Sequence, residues 1–295
     1  MRNLPICLYL CCLLTTCLAA GERLPQASPA DVGMDAAHLQ RIDTAVEEGI
    51  AAGKMPGCVV CIGRQGKIVW LRAYGQRSVQ PTRADMTTDT VFDMASITKP
   101  VATATSIMLL VERGQIRIRD SVATHLPEFA DQGKEDVTIE DLLIHQGGLI
   151  PDNSLDDYHD GPEESLRRVL ALPFHVEPKT KFVYSDMGFV VLGEVVRRVS
   201  RKDVHTFSHE NIFAPLGMSE TGYLPNDELR ARAAVTEERE GRWMQGEVHD
   251  PRAYLLGGIA GHAGLFSTAD DLAVYAQMML DEGEYGGVRI LSPRT

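Results

Sequence analysis

The sequence predicts an α+β fold, a helical region set beside an antiparallel sheet, and three observations carry that prediction. An apolar stripe at helical spacing stands just ahead of two β-rich runs joined by a tight turn. From Ser96 onward helical patterns dominate, with no internal repeat. Apolar residues make up 44% and charged residues 24% of the 295 residues, the balance of a chain that buries a sizeable core. Disordered, collagen-like and coiled-coil chains have other compositions.

Met1 to Ala20 reads as an export signal. Arg2 supplies a positive start, an apolar stretch runs from Ile6 to Leu18, and Ala19, Ala20 and Gly21 offer a cleavage site. The stretch is shorter than the roughly 20 residues of a membrane span. A second reading makes Cys17 a lipid-bearing residue, since Leu14-Thr15-Thr16-Cys17 loosely matches a lipobox. Cys7, Cys11, Cys12 and Cys17 all fall in this leader. An exported, periplasmic or extracellular location is therefore expected, with no transmembrane segment after the leader is removed.

Residues 21–90 form the N-terminal part of the α/β region. Asp35 caps a helix carrying Leu39, Ile42, Val46 and Ile50 on one face, closed by Gly53. Cys58 to Ile62 and Lys67 to Tyr74 are strands, and Gly63-Arg64-Gln65-Gly66 between them marks a hairpin. Cys58 and Cys61 have the C-x-x-C spacing of redox pairs, but on a strand i and i+3 point to opposite faces, so two buried thiols are expected. Residues 91–295 form a mostly helical region. Its helices are placed at Val101 to Glu112, Ile139 to His145 behind Thr138, Glu163 to Leu172, Met187 to Val199, Val204 to Phe213 and Ala269 to Leu280. After Val288 to Leu291, Ser292-Pro293 announces another helix two residues before the chain stops, which reads as a truncation.

Charge excludes some functions. Against 29 Lys plus Arg stand 41 Asp plus Glu, a net charge of −12, so no electrostatic footprint for nucleic acid or anionic membranes is present. No glycine-rich phosphate loop follows a strand, and no cofactor is indicated. His205 and His209 stand i, i+4 but lack the H-E-x-x-H pattern of a metal pair, which leaves a solvated helix face and no metal site. Glu237-Glu238-Arg239-Glu240 reads as a solvated charged segment.

The chemistry lies in Met94-Ala95-Ser96-Ile97-Thr98-Lys99-Pro100, which opens a helical pattern and contains S-x-x-K. At i and i+3 the Lys99 ammonium reaches the Ser96 hydroxyl. A serine hydroxyl attacks well only when a base takes its proton, and a lysine of suitable environment is such a base. Backbone N–H groups at a helix start also favour a developing oxyanion.

Three further motifs stand in order behind it: Leu142-Leu143-Ile144-His145-Gln146-Gly147-Gly148-Leu149, then Phe182-Val183-Tyr184-Ser185-Asp186-Met187-Gly188, then Gly264-Leu265-Phe266-Ser267-Thr268-Ala269-Asp270-Asp271-Leu272. With Asn211 to Met218, the set resembles the serine β-lactamase and penicillin-binding superfamily, in its class C-like, β-lactamase-related esterase branch. That resemblance implies a β-lactamase/transpeptidase-like fold and acyl transfer on an ester or amide, whether a β-lactam, a D-Ala peptide or a simple ester. It implies Ser96 as nucleophile, Lys99 as its base and Tyr184 as the tyrosine of the family's Y-x-N element. Asp186 occupies the substrate-binding position where that element carries Asn. An ionised carboxylate accepts only, so it does not welcome a substrate amide carbonyl.

The family's third element, K-T-G or H-T-G on a strand beside the nucleophile, is not found after the last helix, and the sheet's C-terminal strands are read as missing. Gly261-His262-Ala263-Gly264 mimics H-x-G but precedes the last helix, so His262 is not expected to stand in. His145 and His249 lie in loops that could line the cleft, with no role assigned. A small-molecule or cell-wall-derived acyl substrate is the expected partner. A non-catalytic binder of cell-wall peptide and an inactive fragment are the alternatives. The sequence leaves the oligomeric state open.

Overall fold

Asp35 accepts a hydrogen bond from the Ala37 N–H and starts helix α1 (Ala36–Leu39), which runs on into α2 (Arg41–Ala51). The computed structural model describes residues 23–295, and the leader with its four cysteines lies outside the described residues. Strands β1 (Gly57–Arg64) and β2 (Lys67–Ser78) pair antiparallel from Gly57 opposite Gly75 to Arg64 opposite Lys67. Gln65 and Gly66, both at positive φ (53° and 72°), make the two-residue turn whose twist matches the strands. A short β3 (Ala84–Asp85) completes a three-stranded sheet in the order β1-β2-β3. One face of the hairpin closes on α1 and α2 through Val32, Leu39, Val69 and Trp70. From β1 and β2, Cys61, Ile68 and Leu71 reach the main core.

After β4 (Phe92–Asp93) the chain turns into one tight 3-10 turn, Ala95–Ile97, and a π-helical turn, Lys99–Ala104, before α3 (Thr105–Glu112). The helical region continues with α4 (Val122–His125), α5 (Ile139–Leu143), α6 (Pro162–Leu170), α7 (Asp186–Ser200) and α8 (Val204–Ser208). Thr138 caps α5 in a reciprocal capping box with Asp141. Helix α7 is the centre of the main core, buried from Met187 through Val196, with α3, α5, α6 and α8 packed around it.

Beyond β5 (Gly222–Tyr223) come α9 (Asp227–Arg232), a second hairpin of β6 (Val235–Arg239) and β7 (Arg242–Gln245), and α10 (Pro251–Leu255). Strand β8 (Leu265–Ser267) lies between β4 and β5 in a second antiparallel sheet, and α11 (Ala269–Leu280) follows behind the Thr268 cap and packs on β1. A two-stranded ribbon of β9 (Glu284–Tyr285) and β10 (Val288–Arg289) ends the regular structure.

The α+β prediction holds, and three local expectations are corrected. Val101 to Glu112 and Val204 to Phe213 are not uninterrupted α-helices: a π-helical turn opens the first, and another, His209–Phe213, closes the second. Cys58 and Cys61 are free and only half-buried, because β1 is an edge strand of its sheet. Burial raises both thiol pKa values, so they are not activated. The charged run lies on the β6–β7 hairpin with Glu237, Glu238 and Glu240 exposed as expected, and only Arg239 turns inward, over the Tyr254 ring. His205 is half-buried with its ring 5.8 Å from that of Tyr223, so only His209 of that pair is solvated.

Candidate active site

The irregular turn after β4 sets Ser96 apart from Lys99. Ser96 is exposed, whereas Lys99 is 3% exposed and points into the protein. The Lys99 Nζ donates to Ser96 Oγ at 3.0 Å and to the His262 carbonyl at 3.1 Å, and it stands 2.6 Å from Asp186 Oδ1. The ion pair with Asp186 is close, but its angle is not that of a hydrogen bond, and Oδ1 has no other donor. The buried Lys99 Nζ thus has two hydrogen-bond acceptors and a carboxylate close beside it, the kind of surroundings a buried charge requires. The turn itself is tied to β8 by Met94 N–H to Leu265 O at 2.9 Å and Leu265 N–H to Thr98 Oγ1 at 3.1 Å.

The second group comes from the start of α7. Ser185 caps that helix, accepting from the Gly188 N–H while its hydroxyl donates to the Ile150 carbonyl. The Ser185 N–H donates to His145 Nδ1 at 3.1 Å, and the Asp186 N–H to Pro151 O at 3.0 Å. Tyr184 and Asp186 on either side are therefore held by main-chain contacts. The Tyr184 ring lies 4.9 Å from Lys99 Nζ and 4.4 Å from the His145 ring, at the edge of the cleft and 44% exposed. Burial and the Lys99 charge together lower the His145 pKa against the opposing pull of Asp186, so His145 is a neutral ring that accepts at Nδ1.

The third group is the arch between α10 and β8. Gly261 meets α7 so closely that a Cβ there would lie 2.0 Å from the Phe189 carbonyl oxygen, and Thr103 Oγ1 donates to the Gly261 carbonyl at 2.7 Å. This contact presents the next carbonyl, that of His262, to Lys99. The His262 side chain is fully buried and meets Asp250 Oδ1 with Nε2 at 2.9 Å, which places its proton on Nε2. Burial acts to raise the Asp250 pKa, but the bond and charge of His262, with the Ala253 N–H and Arg252, bring it down to about 2.

Ser96, Lys99, Tyr184 and Asp186 are therefore brought together as the sequence reading expects. His262, set aside in that reading, joins them through its main-chain oxygen and not as a substitute for the K-T-G strand. Asp250 and Gly261 escaped sequence reasoning. Only the close Gly-Gly-x-x-Gly-x-x-Gly spacing of 257 to 264 could have flagged an arch pressed on another backbone. Asp186, Asp250 and His262 offer ligand atoms within 4.8 Å of one another, the geometry of a cation site. Of these three, Asp186 is paired with Lys99 Nζ and Asp250 with the His262 ring. A cavity of about 490 Å³ between α6 and α7 does not include Ser96, Lys99 or Tyr184 and touches this cluster only through Gly261.

A helical region beside antiparallel sheets, with a Ser–Lys pair at a helix start near a Tyr-x-Asp element, fits the β-lactamase/transpeptidase-like class of hydrolase folds. The chain belongs to the beta-lactamase family, whose model matches residues 42–294. It is 32% identical to an N-acetylmuramyl-L-alanine amidase of Bacillus subtilis (strain 168), over 87% of this chain and 66% of that protein. It is 30% identical to an Escherichia coli O157:H7 protein named D-alanyl-D-alanine carboxypeptidase, over 98% of this chain and 75% of that one. The structure of an octameric penicillin-binding protein homologue from Pyrococcus abyssi superposes with a TM-score of 0.69 at 27% identity, over 87% of this chain and 58% of the other. The chain thus spans about two thirds of the Bacillus relative. No described helix is long and apolar enough to cross a membrane.

Proposed function

We propose that this chain is an exported serine hydrolase that transfers the acyl group of a small or cell-wall-derived ester or amide to Ser96 and then to water. One observation carries this reading: a buried lysine Nζ 3.0 Å from an exposed serine hydroxyl. Attack needs Lys99 in its amine form, with the lone pair on the Ser96 proton. The ammonium that results is received by Asp186 and the His262 carbonyl, so the cage favours the state that proton transfer creates. Tyr184 is the group that passes a proton to the leaving oxygen or nitrogen and draws one from water in deacylation. Carbonyl carbon bonds to Ser96 Oγ as the leaving group departs with that proton, and water reverses the exchange.

Asp186 narrows the substrate. A carboxylate already engaged with Lys99 offers no donor to an acyl-side amide carbonyl, which favours simple esters over β-lactams and peptides. The family names of the relatives, an amidase and a carboxypeptidase, support carbonyl chemistry on cell-wall-derived compounds. The test is to incubate the folded protein with a fluorophosphonate and a fluorescent penicillin and to map added mass. Label on Ser96, lost in Lys99→Ala, is the expected result. Folded protein that acquires no label at Ser96 sinks the mechanism and leaves a peptide-binding role.

A further inference from the structure

We propose that Asp93, with His249 as its counter-ion, is the positioning residue for the Ser96 turn, a role resting on Ser96 as the acylated hydroxyl. Ser96 follows Ala95, whose φ is +46°, a left-handed conformation that crowds a Cβ against the backbone. Something must hold the chain there, and the hydrogen bonds name it. Asp93 Oδ1 accepts the Ala95 N–H at 2.9 Å, closing the turn from two residues upstream. Asp93 Oδ2 accepts twice from His249, from its main-chain N–H at 2.8 Å and from Nδ1–H at 2.8 Å. One oxygen fixes the turn and the other fixes the carboxylate, so the side chain cannot rotate away.

The Asp93 side chain is 1% exposed, while that of His249 is 39% exposed. A carboxylate so buried needs a partner, and His249 is its only ionisable contact among the described residues. His249 is faced by Asp93 from β4, by the adjoining Asp250, and by Glu237 from β6, all favouring its charged form against burial. Arg239 of β6 donates to the His249 carbonyl and holds that loop from the other side. The Asp93 hydrogen bond, outweighing burial, raises the His249 pKa above its usual value. The charged pair is therefore complete in mild acid and is lost as pH rises through that raised value. Above it the neutral ring keeps the Nδ1–H bond, so the turn loses charge balance but not contact. None of these groups touches a reacting atom. They act by setting where the Ser96 oxygen stands, and small misplacements of a reacting atom are costly.

The experiment measures the rate of Ser96 labelling by a fluorophosphonate in the full chain, together with the inhibitor's dissociation constant. In Asp93→Asn the amide oxygen still accepts from Ala95, but the amide nitrogen cannot accept from His249. A loss in labelling rate on the order of 10²-fold with an unchanged dissociation constant is expected. His249→Gln loses less and removes from the rate profile the inflection that belongs to the imidazole. Adding Ala95→Gly to Asp93→Asn restores most of the rate, because glycine takes a positive φ without crowding. Should Asp93→Asn alone fail to fold, His249→Gln and the double variant carry the same comparison. Parent protein that labels at Ser96, with Asp93→Asn labelling within about twofold of it, or with no rescue by Ala95→Gly, overturns the positioning role alone. Parent protein that never labels at Ser96 overturns the acyl-transfer reading and this role with it.

Discussion

The N-terminal hairpin and the arch around Lys99 hold their backbones in opposite ways. In the hairpin, β1 and β2 pair from one end of β1 to the other, with one irregularity at Ile62 and Gly63, and main-chain pairing sets the register. Around the site, β4, β5 and β8 are two or three residues long. There the work passes to side chains: Asp93 to Ala95, Thr98 to Leu265, Thr103 to Gly261, Lys99 to His262 and Ser185 to Ile150. Regular pairing supplies order that many sequences could supply. Irregular backbone held by named side chains supplies direction, at the cost of depending on each of them.

That contrast can be broken where it is strongest. Lys99→Ala removes the proposed base and the counter-ion of Asp186, and the Ser96 labelling rate should fall on the order of 10³-fold or more. A labelling rate near that of the parent would mean that the arch does not aim the chemistry. In the hairpin, Trp70→Ala empties a site that is 6% exposed and should cost about 3 kcal/mol in urea unfolding. Labelling per folded molecule should not change, and a parallel loss of both would erase the distinction between the two regions.

A third expectation concerns acid. Asp250 holds its proton less tightly when folded, near 2 against 3.8, so its pairing with His262 stabilises the fold above pH 3.8 and that contribution is lost as pH falls through about 2. His262→Asn should therefore flatten acid unfolding in that window, read by circular dichroism, while Trp70→Ala leaves its slope intact. The smallest effect is expected at Arg72, which lies over Trp70 at 3.8 Å and pairs with Asp43 at 2.7 Å on the surface. Arg72→Gln should cost about 1 kcal/mol or less, and less again in high salt.

Much of this was legible in the chain. The Asp35 and Thr138 caps, the hairpin turn and the last helix were written in local signals, because each needs only neighbours in sequence. Ser96, Lys99, Tyr184 and Asp186 were legible as motifs. The strands β4, β5 and β8 were not, since two or three residues are too few for alternation to show. Asp250 and His262 were opaque for another reason: a buried aspartate and a buried histidine look like any loop residues until the fold pairs them. Asp93, two residues from a left-handed alanine, announces itself only through the φ it supports.

At the crossing of Gly261 with α7, the Gly261 main chain comes so near that a Cβ on Gly193 would lie 3.1 Å from it. Two backbones, not two side chains, thus set the height of the carbonyl that receives the Lys99 proton donor. Backbone atoms do not change when a gene drifts, provided both glycines persist. Side chains lining the cleft can then be exchanged, and what enters it altered, while the lysine stays where it was.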